Sequence, residues 1–341
     1  MSVALWIKKL FLILLLVPLV SFGQTAEDFF NSGKAKDSLK DFKGAISDYS
    51  KAIELDPDNV DHYNRRGNSK YALDDYKGAI ADYTKVIELD PDTSKYYSYR
   101  GFTKYKLEDY SGVISDYSKA IELDPDNVNN YTTRAIAKYN LEDYNGAISD
   151  NSKAIELDPD YGLAYHNRGF TKYKLEDYSG AIADYTKAIE FDYDYPNCYV
   201  NRGNAKTNAE DYEGAIADYT KVIELDPDSA LAHFNRGNAK TNAEDYEGAI
   251  SDYSKAIELD PNYLDAHYNR GNAKTNAEDY EGAIADYTKV IELDPDYPNS
   301  FNNRGTVKEK IEDYEGAIAD YTKAIELDPD FALYYKNLGE A

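Results

Sequence analysis

The chain has 341 residues, 42% of them hydrophobic, and 63 acidic side chains outnumber 38 basic ones to give a net charge of −25. This is the composition of a globular but strongly anionic protein, and it argues against nucleic acid or an anionic lipid surface as partner, since both need clustered Lys and Arg. A single cysteine, Cys198, excludes an intramolecular disulfide, so the fold needs no covalent staple.

At the start, Lys8 and Lys9 precede an apolar run from Leu10 to Val20 and the small-residue pattern Ser21-Phe22-Gly23. The stretch reads as a secretory signal peptide over residues 1–23, cut before Gln24. Its apolar run is short for a bilayer span, and no cysteine follows to carry a lipid. The expected protein is exported to a periplasm, a cell envelope or the medium, with no stable membrane insertion after cleavage. An uncleaved N-terminal membrane anchor is the alternative.

From Ala26 onward one pattern returns every 34 residues. Its proline recurs at Pro57, Pro91, Pro125, Pro159, Pro227, Pro261, Pro295 and Pro329, and its glycine at Gly44, Gly78, Gly112, Gly146, Gly180, Gly214, Gly248, Gly282 and Gly316. A strict period of this size marks a repeat array. Nine full units are expected, at residues 26–59, 60–93, 94–127, 128–161, 162–195, 196–229, 230–263, 264–297 and 298–331. A tenth, 332–341, stops after half a hairpin, and its open end is a candidate surface for self-association.

Each unit reads as two helices and a tight turn. In the second, Tyr63, Arg66, Gly67, Lys70, Tyr71 and Leu73 fall at helical spacing, Asp74-Asp75 makes the turn, and Ala79, Ile80, Tyr83, Ile87 and Leu89 mark the next helix. Asp75 is placed to cap that helix, and Pro91 ends it, because the residue before a proline is pushed out of helical geometry. Small residues at Gly67 and Ala79 are expected to let the two backbones approach. One such pair has too little apolar surface to stand alone, so the units must stack.

Tyr63, Gly67, Ala79, Tyr83 and Pro91 together resemble the tetratricopeptide repeat family, and the resemblance covers residues 26–341. It implies an all-α, right-handed superhelical solenoid of helical hairpins, with the first helix of each pair lining a concave groove that binds protein segments. Some members clamp a C-terminal carboxylate with Lys and Asn from one helix. Asn204, Asn238 and Asn272 match that Asn, whereas Val200, Phe234 and Tyr268 replace the Lys.

Other departures are informative. Where the family prefers Leu before the glycine, this chain has Arg66, Arg100, Arg134, Arg168, Arg202, Arg236, Arg270 and Arg304. Equally periodic Asp82, Asp116, Asp150, Asp184, Asp218, Asp252, Asp286 and Asp320 offer partners for a structural ladder, because a half-buried Arg needs a carboxylate. A row of anion-binding groups is the functional alternative. The joint at residues 191–198 has Tyr193 in place of the proline, and residues Asn201–Asp228 and Asn269–Asp296 are identical, which argues against a distinct ligand for each unit.

Chemistry is sparsely represented. Of His62, His166, His233 and His267, the last two occupy a packing position of neighbouring units, without the further ligands of a closed metal site. No nucleophile with a paired base and no Gly-rich phosphate loop accompanies them. The Asp-Pro-Asp turns, such as Asp56/Asp58, lack the ligand alternation of a calcium loop. The chain is expected to be non-enzymatic, with no cofactor and no metal. Asn130-Tyr131-Thr132 is an acceptor pattern for asparagine glycosylation.

The expected groove has two sections. Phe102, Tyr105, Ile136, Tyr139, His166, Phe170 and Tyr173 suit apolar or aromatic partner side chains. Asn204, Thr207, Asn208, Phe234, Asn238, Thr241, Asn242, Tyr268, Asn272, Thr275 and Asn276 suit hydrogen bonding to an extended backbone. The leading expectation is an exported scaffold or adaptor binding an extended or helical peptide segment of a protein partner. A glycan or cell-wall polymer held by the same Asn, Thr and aromatic surface is the alternative.

Overall fold

The computed structural model describes residues 24–193 and 195–341, so the expected signal peptide lies outside the described residues. Nineteen helices and no strand occur among the described residues. The chain divides into two compact units, one ending at Leu141 and one running from Glu142 to Ala341.

The first unit holds α1 (Ala26–Ser38), α2 (Phe42–Leu55), α3 (Val60–Ala72), α4 (Tyr76–Leu89), α5 (Ser94–Tyr105), α6 (Tyr110–Leu123) and α7 (Val128–Asn140). The second begins with α8 (Tyr144–Leu157), α9 (Gly162–Lys174), α10 (Tyr178–Glu190), α11 (Tyr195–Asn208), α12 (Tyr212–Leu225) and α13 (Ala230–Asn242). It continues with α14 (Tyr246–Leu259), α15 (Leu264–Asn276), α16 (Tyr280–Leu293), α17 (Pro298–Lys310), α18 (Tyr314–Leu327) and α19 (Ala332–Glu340). Within each unit every helix packs on the next in sequence, so hairpins such as α3/α4 and α13/α14 stack into an all-α array.

The turn chemistry is as the sequence requires. The Asp75 carboxylate accepts the Gly78 N–H at 3.0 Å and caps α4, and the same bond recurs from Asp41 to Asp313. A Cβ on Gly78 would collide with that carboxylate, which is why the third position after the cap is glycine in repeat after repeat. The residue before each capping Asp is left-handed without being glycine: Asp74 has φ 60° and Glu210 and Glu244 have φ 62°. Each costs about 1 kcal/mol, repaid by the tight turn that lets the hairpin close.

The core of each unit is made of alanines and tyrosines. Ala79, Ala215, Ala249, Ala283, Tyr49, Tyr83, Tyr219, Tyr253 and Tyr287 are buried. The close approach expected between glycine and alanine is seen at Gly169 and Gly305, where an added Cβ would stand 3.3 Å from the Ala181 or Ala317 carbonyl oxygen, but beside Gly67 the nearest neighbour is the tyrosine ring of the second helix. A Cβ on Gly67 would lie 2.9 Å from Tyr83 Cε1, and one on Gly237 would lie 2.7 Å from Tyr253 Cε1. The sequence follows the same rule: the repeat with Ala135 at the glycine position is also the one with Asn151 at the tyrosine position. Gly237→Val is therefore expected to destabilise the chain by about 2 to 3 kcal/mol, since the overpacking outweighs the few tenths of a kcal/mol that valine gains over glycine in helix propensity. A urea midpoint within error of wild type would contradict this packing.

Candidate functional site: a polar ladder and a row of uncharged recesses

The periodic arginines are committed to the fold. Arg236 donates from Nε to Asp252 Oδ2 at 2.9 Å and from Nη2 to Oδ1 at 2.6 Å, while Nη1 donates to Thr220 Oγ1 of the preceding repeat at 3.1 Å. Thr220 is oriented to accept because its hydroxyl donates to the Ile216 carbonyl. Each such arginine thus ties the second helix of its own repeat to the second helix before it. The arrangement recurs at Arg66, Arg100, Arg168, Arg202, Arg270 and Arg304, and Arg134 keeps the link to Ser118 at 3.0 Å. The carboxylates already fill these guanidinium forks, which supports the structural ladder over a row of anion-binding groups.

Two columns in this ladder escaped the sequence reading. One is Lys70, Lys104, Lys172, Lys206, Lys240, Lys274 and Lys308, each 2.8–2.9 Å from the ladder carboxylate. The other is the Ser/Thr hydroxyl that Arg Nη1 meets. Both recur with the 34-residue period, so the signal was present. In the first repeat Ser32 stands at the arginine position, and Lys36 with Ser32 holds Asp48. Burial alone would push Asp252 up, but its hydrogen bonds from Arg236 and Lys240 outweigh this and hold it below the usual carboxylate range. Asp286 is depressed further: against the same burial, the His267 ring, with Nδ1 3.6 Å away, and hydrogen bonds from Arg270 and Lys274 favour its ionised form.

Three neighbouring recesses open along α11, α13, α15 and α17. The first, about 110 Å³, is lined by Tyr173, Asn204, Thr207, Asn208, Tyr219, Asn235 and Asn238. The second, about 380 Å³, is lined by Thr207, Asn238, Thr241, Asn242, Tyr253, Asn269 and Asn272. The third, about 270 Å³, is lined by Asn272, Thr275, Asn276, Tyr287, Asn303 and Thr306. No charged side chain lines any of them. Burial pushes Tyr219, Tyr253 and Tyr287 up to about 12, so their hydroxyls are neutral donors near pH 7.

The recess floor is internally bonded. Tyr219, Tyr253 and Tyr287 donate to the Oδ1 atoms of Asn204, Asn238 and Asn272 at 2.7–2.8 Å. Thr207, Thr241 and Thr275 donate to glycine carbonyls one turn back and stand 3.0–3.5 Å from the same tyrosine hydroxyls. Asn269 donates to Asn238, and Asn303 to Asn272 and Tyr268. The sequence reading placed Asn204, Asn238 and Asn272 in contact with a partner, but much of their acceptor capacity is already used. Asn208, Asn242 and Asn276 are the exposed amides. Asn235, Asn269 and Asn303 were missed, although asparagine recurs there at 34 residues.

The aromatic section is less uniform. In the first unit Phe102 is 44% exposed beside the Tyr71 ring, Tyr105 packs on Tyr110, and Ile136 and Tyr139 are half-buried on α7. In the second, Phe170 is 42% exposed, His166 lies between the Tyr185 and Tyr193 rings, and Tyr173 accepts from Asn208 at 2.9 Å. Phe234 and Tyr268 are half-buried and make ring contacts with Tyr263 and Tyr297.

The remaining candidates resolve into structure. His233 and His267 are buried with Nε2 3.1–3.2 Å from the Pro227 and Pro261 carbonyls, the role that the Tyr97 and Tyr131 hydroxyls play at Pro91 and Pro125. No cluster of three or more His, Cys, Asp or Glu suited to a metal occurs among the described residues. Asn130 is 2% exposed, so the glycosylation pattern at residues 130–132 is closed in the folded chain. No helix of the described residues is long and apolar enough to cross a membrane.

The fold and these columns define an all-α repeat array whose repeated polar contacts join one hairpin to the next. The chain belongs to the tetratricopeptide repeat family, whose members serve as protein-interaction scaffolds. The TPR repeat pattern matches residues 33–74, 171–208, 203–242 and 237–276, and the Tetratricopeptide repeat pattern matches residues 60–93, 264–297 and 298–331. No curated protein shows significant sequence similarity to the chain. Among solved structures, the C-terminal part of a TPR repeat-containing protein from Cytophaga hutchinsonii is similar at 22% identity and a TM-score of 0.60, over 72% of this chain and 99% of that one. A tetratricopeptide repeat protein from Parabacteroides merdae is similar at 16% identity and a TM-score of 0.53, over 72% of this chain and 97% of that one. YrrB, described as a TPR protein with an unusual peptide-binding site, shares 25% identity over 54% of this chain and 95% of its own, with a TM-score of 0.49.

Proposed function

We propose that this chain is an exported, non-enzymatic scaffold that holds an extended segment of a protein partner along the first helices of its repeats. The observation that carries the reading is the row of three uncharged recesses between Asn204 and Thr306, floored by hydrogen-bonded Asn and Tyr. An asparagine amide offers the same donor and acceptor pair as a peptide bond, so exposed Asn242 and Asn276, and the Oδ1 of Asn208, whose Nδ2 donates to Tyr173 and Asn204, match an extended main chain without reading its side chains. Tyr219, Tyr253 and Tyr287 are almost fully buried, which removes the ring faces that sugar stacking would use and favours peptide over glycan. Export rests on residues 1–23.

The test is affinity capture from producing cells with wild-type chain, Phe170→Ala and Asn242→Ala. A protein recovered by wild type and lost with either exposed substitution supports groove binding. Equal recovery by all three chains, or retention on a glycan array with no protein partner, would contradict it.

A further inference from the structure

The three recesses are copies of one subsite. Residues 201–216, 235–250 and 269–284 are identical in sequence, and each recess presents the same Asn, Thr, Asn and Tyr from its own repeat plus an Asn from the next. The recesses differ in volume, about 110, 380 and 270 Å³, but subsites built from the same side chains offer the same hydrogen-bonding pairs to any given group. A partner with one distinctive motif would satisfy one recess and slip among the three, whereas a partner that repeats its chemistry gains from all of them at once. The lining also sets the sign of that chemistry. No charged side chain borders a recess and the tyrosines are neutral, so a partner charge buried there would find no counter-charge.

Resting on the groove reading above, we infer that the partner segment is itself repetitive: an extended, uncharged, low-complexity polypeptide stretch that offers the same main-chain hydrogen-bonding pair to successive recesses. The scaffold holds it in several registers that differ by one recess. Association then depends on segment length rather than on a unique sequence, and each recess adds a similar increment.

A displayed library of unstructured peptides about 20 residues long, selected against the full chain, tests this. Enriched peptides are then synthesised and measured by fluorescence anisotropy against wild type, Asn208→Asp, Asn242→Asp, Asn276→Asp and the triple variant. These positions are exposed, and thermal melts confirm that each variant folds. The expected result is enrichment of uncharged, internally repetitive sequences. Each single substitution should weaken binding by a similar factor, between about threefold and tenfold, and the triple variant by roughly the product. A non-repeating motif lost with one substitution and indifferent to the other two would overturn the inference while leaving the scaffold reading in place, as would peptides retained equally by the triple variant. No peptide retained above the bare support would overturn both.

Discussion

Replacing Asp252 by alanine is expected to lower the unfolding free energy by about 3 to 5 kcal/mol, the usual cost of leaving buried charge without its partner. The Asp252 side chain is 5% exposed and receives Arg236 and Lys240, themselves only 18% and 19% exposed. Without the carboxylate, both cations remain mostly desolvated, and the Thr220 hydroxyl is left to accept from the Arg236 guanidinium. The loss should appear as a lower urea midpoint and as faster amide exchange in α13 and α14, because a repeat array unfolds locally around its weakest interface. Glu258→Ala is the matching control. Its pair with Lys255 lies on the surface with Glu258 68% exposed, so the change should be below about 1 kcal/mol. Equal effects at the two sites would mean that the ladder contributes no more than a surface ion pair.

Acid is expected to act on the same carboxylates. Asp48, Asp252 and Asp286 are all held below the ordinary aspartate range: burial opposes ionisation in each, and the Lys or Arg hydrogen bonds prevail. A depressed pKa in the folded state contributes stability that is fully present above the unfolded value of about 3.9 and is lost as pH falls through the folded value. The urea midpoint should therefore be nearly constant from about pH 7 to pH 5 and fall steeply below about pH 4. Asp252→Ala should show a shallower fall, having lost one of the linked protons. A midpoint unchanged down to pH 2, or a variant that falls as steeply as wild type, would contradict the assignment.

The fold was legible in the sequence because its signals are local and repeated. Asp75, Gly78 and Pro91 start and stop a helix by their own backbone chemistry, and a fixed 34-residue period states that the solution is reused. The Arg66 to Asp82 pairing was also accessible, since two columns of opposite charge at one period in a half-buried position leave few other arrangements. What stayed hidden depends on how one helix is registered against the next. That Tyr83 rather than Ala79 fills the space beside Gly67 follows from the direction of a ring, which spacing does not specify. Asn269 reaching Asn238, and Arg236 reaching Thr220, both cross from one repeat to another. The same blindness affected the groove. Helical spacing brought Asn204, Thr207 and Asn208 to one face, but not the Tyr219 hydroxyl that occupies Asn204, so the exposed amides could not be told from the structural ones.

The repeats thus separate two tasks. The Arg, Asp, Lys and Ser/Thr columns bind hairpin to hairpin, while Asn208, Asn242 and Asn276 stand clear of them on the first helices. Site-specific photocrosslinking in the producing cells tests this division most directly, with a photoreactive residue replacing Asn242 in one protein and Glu258 in another. The account predicts a covalent adduct with a partner polypeptide from position 242 and none from position 258. A polypeptide adduct from position 258 alone, or adducts from neither position under conditions where the partner co-purifies, would contradict it.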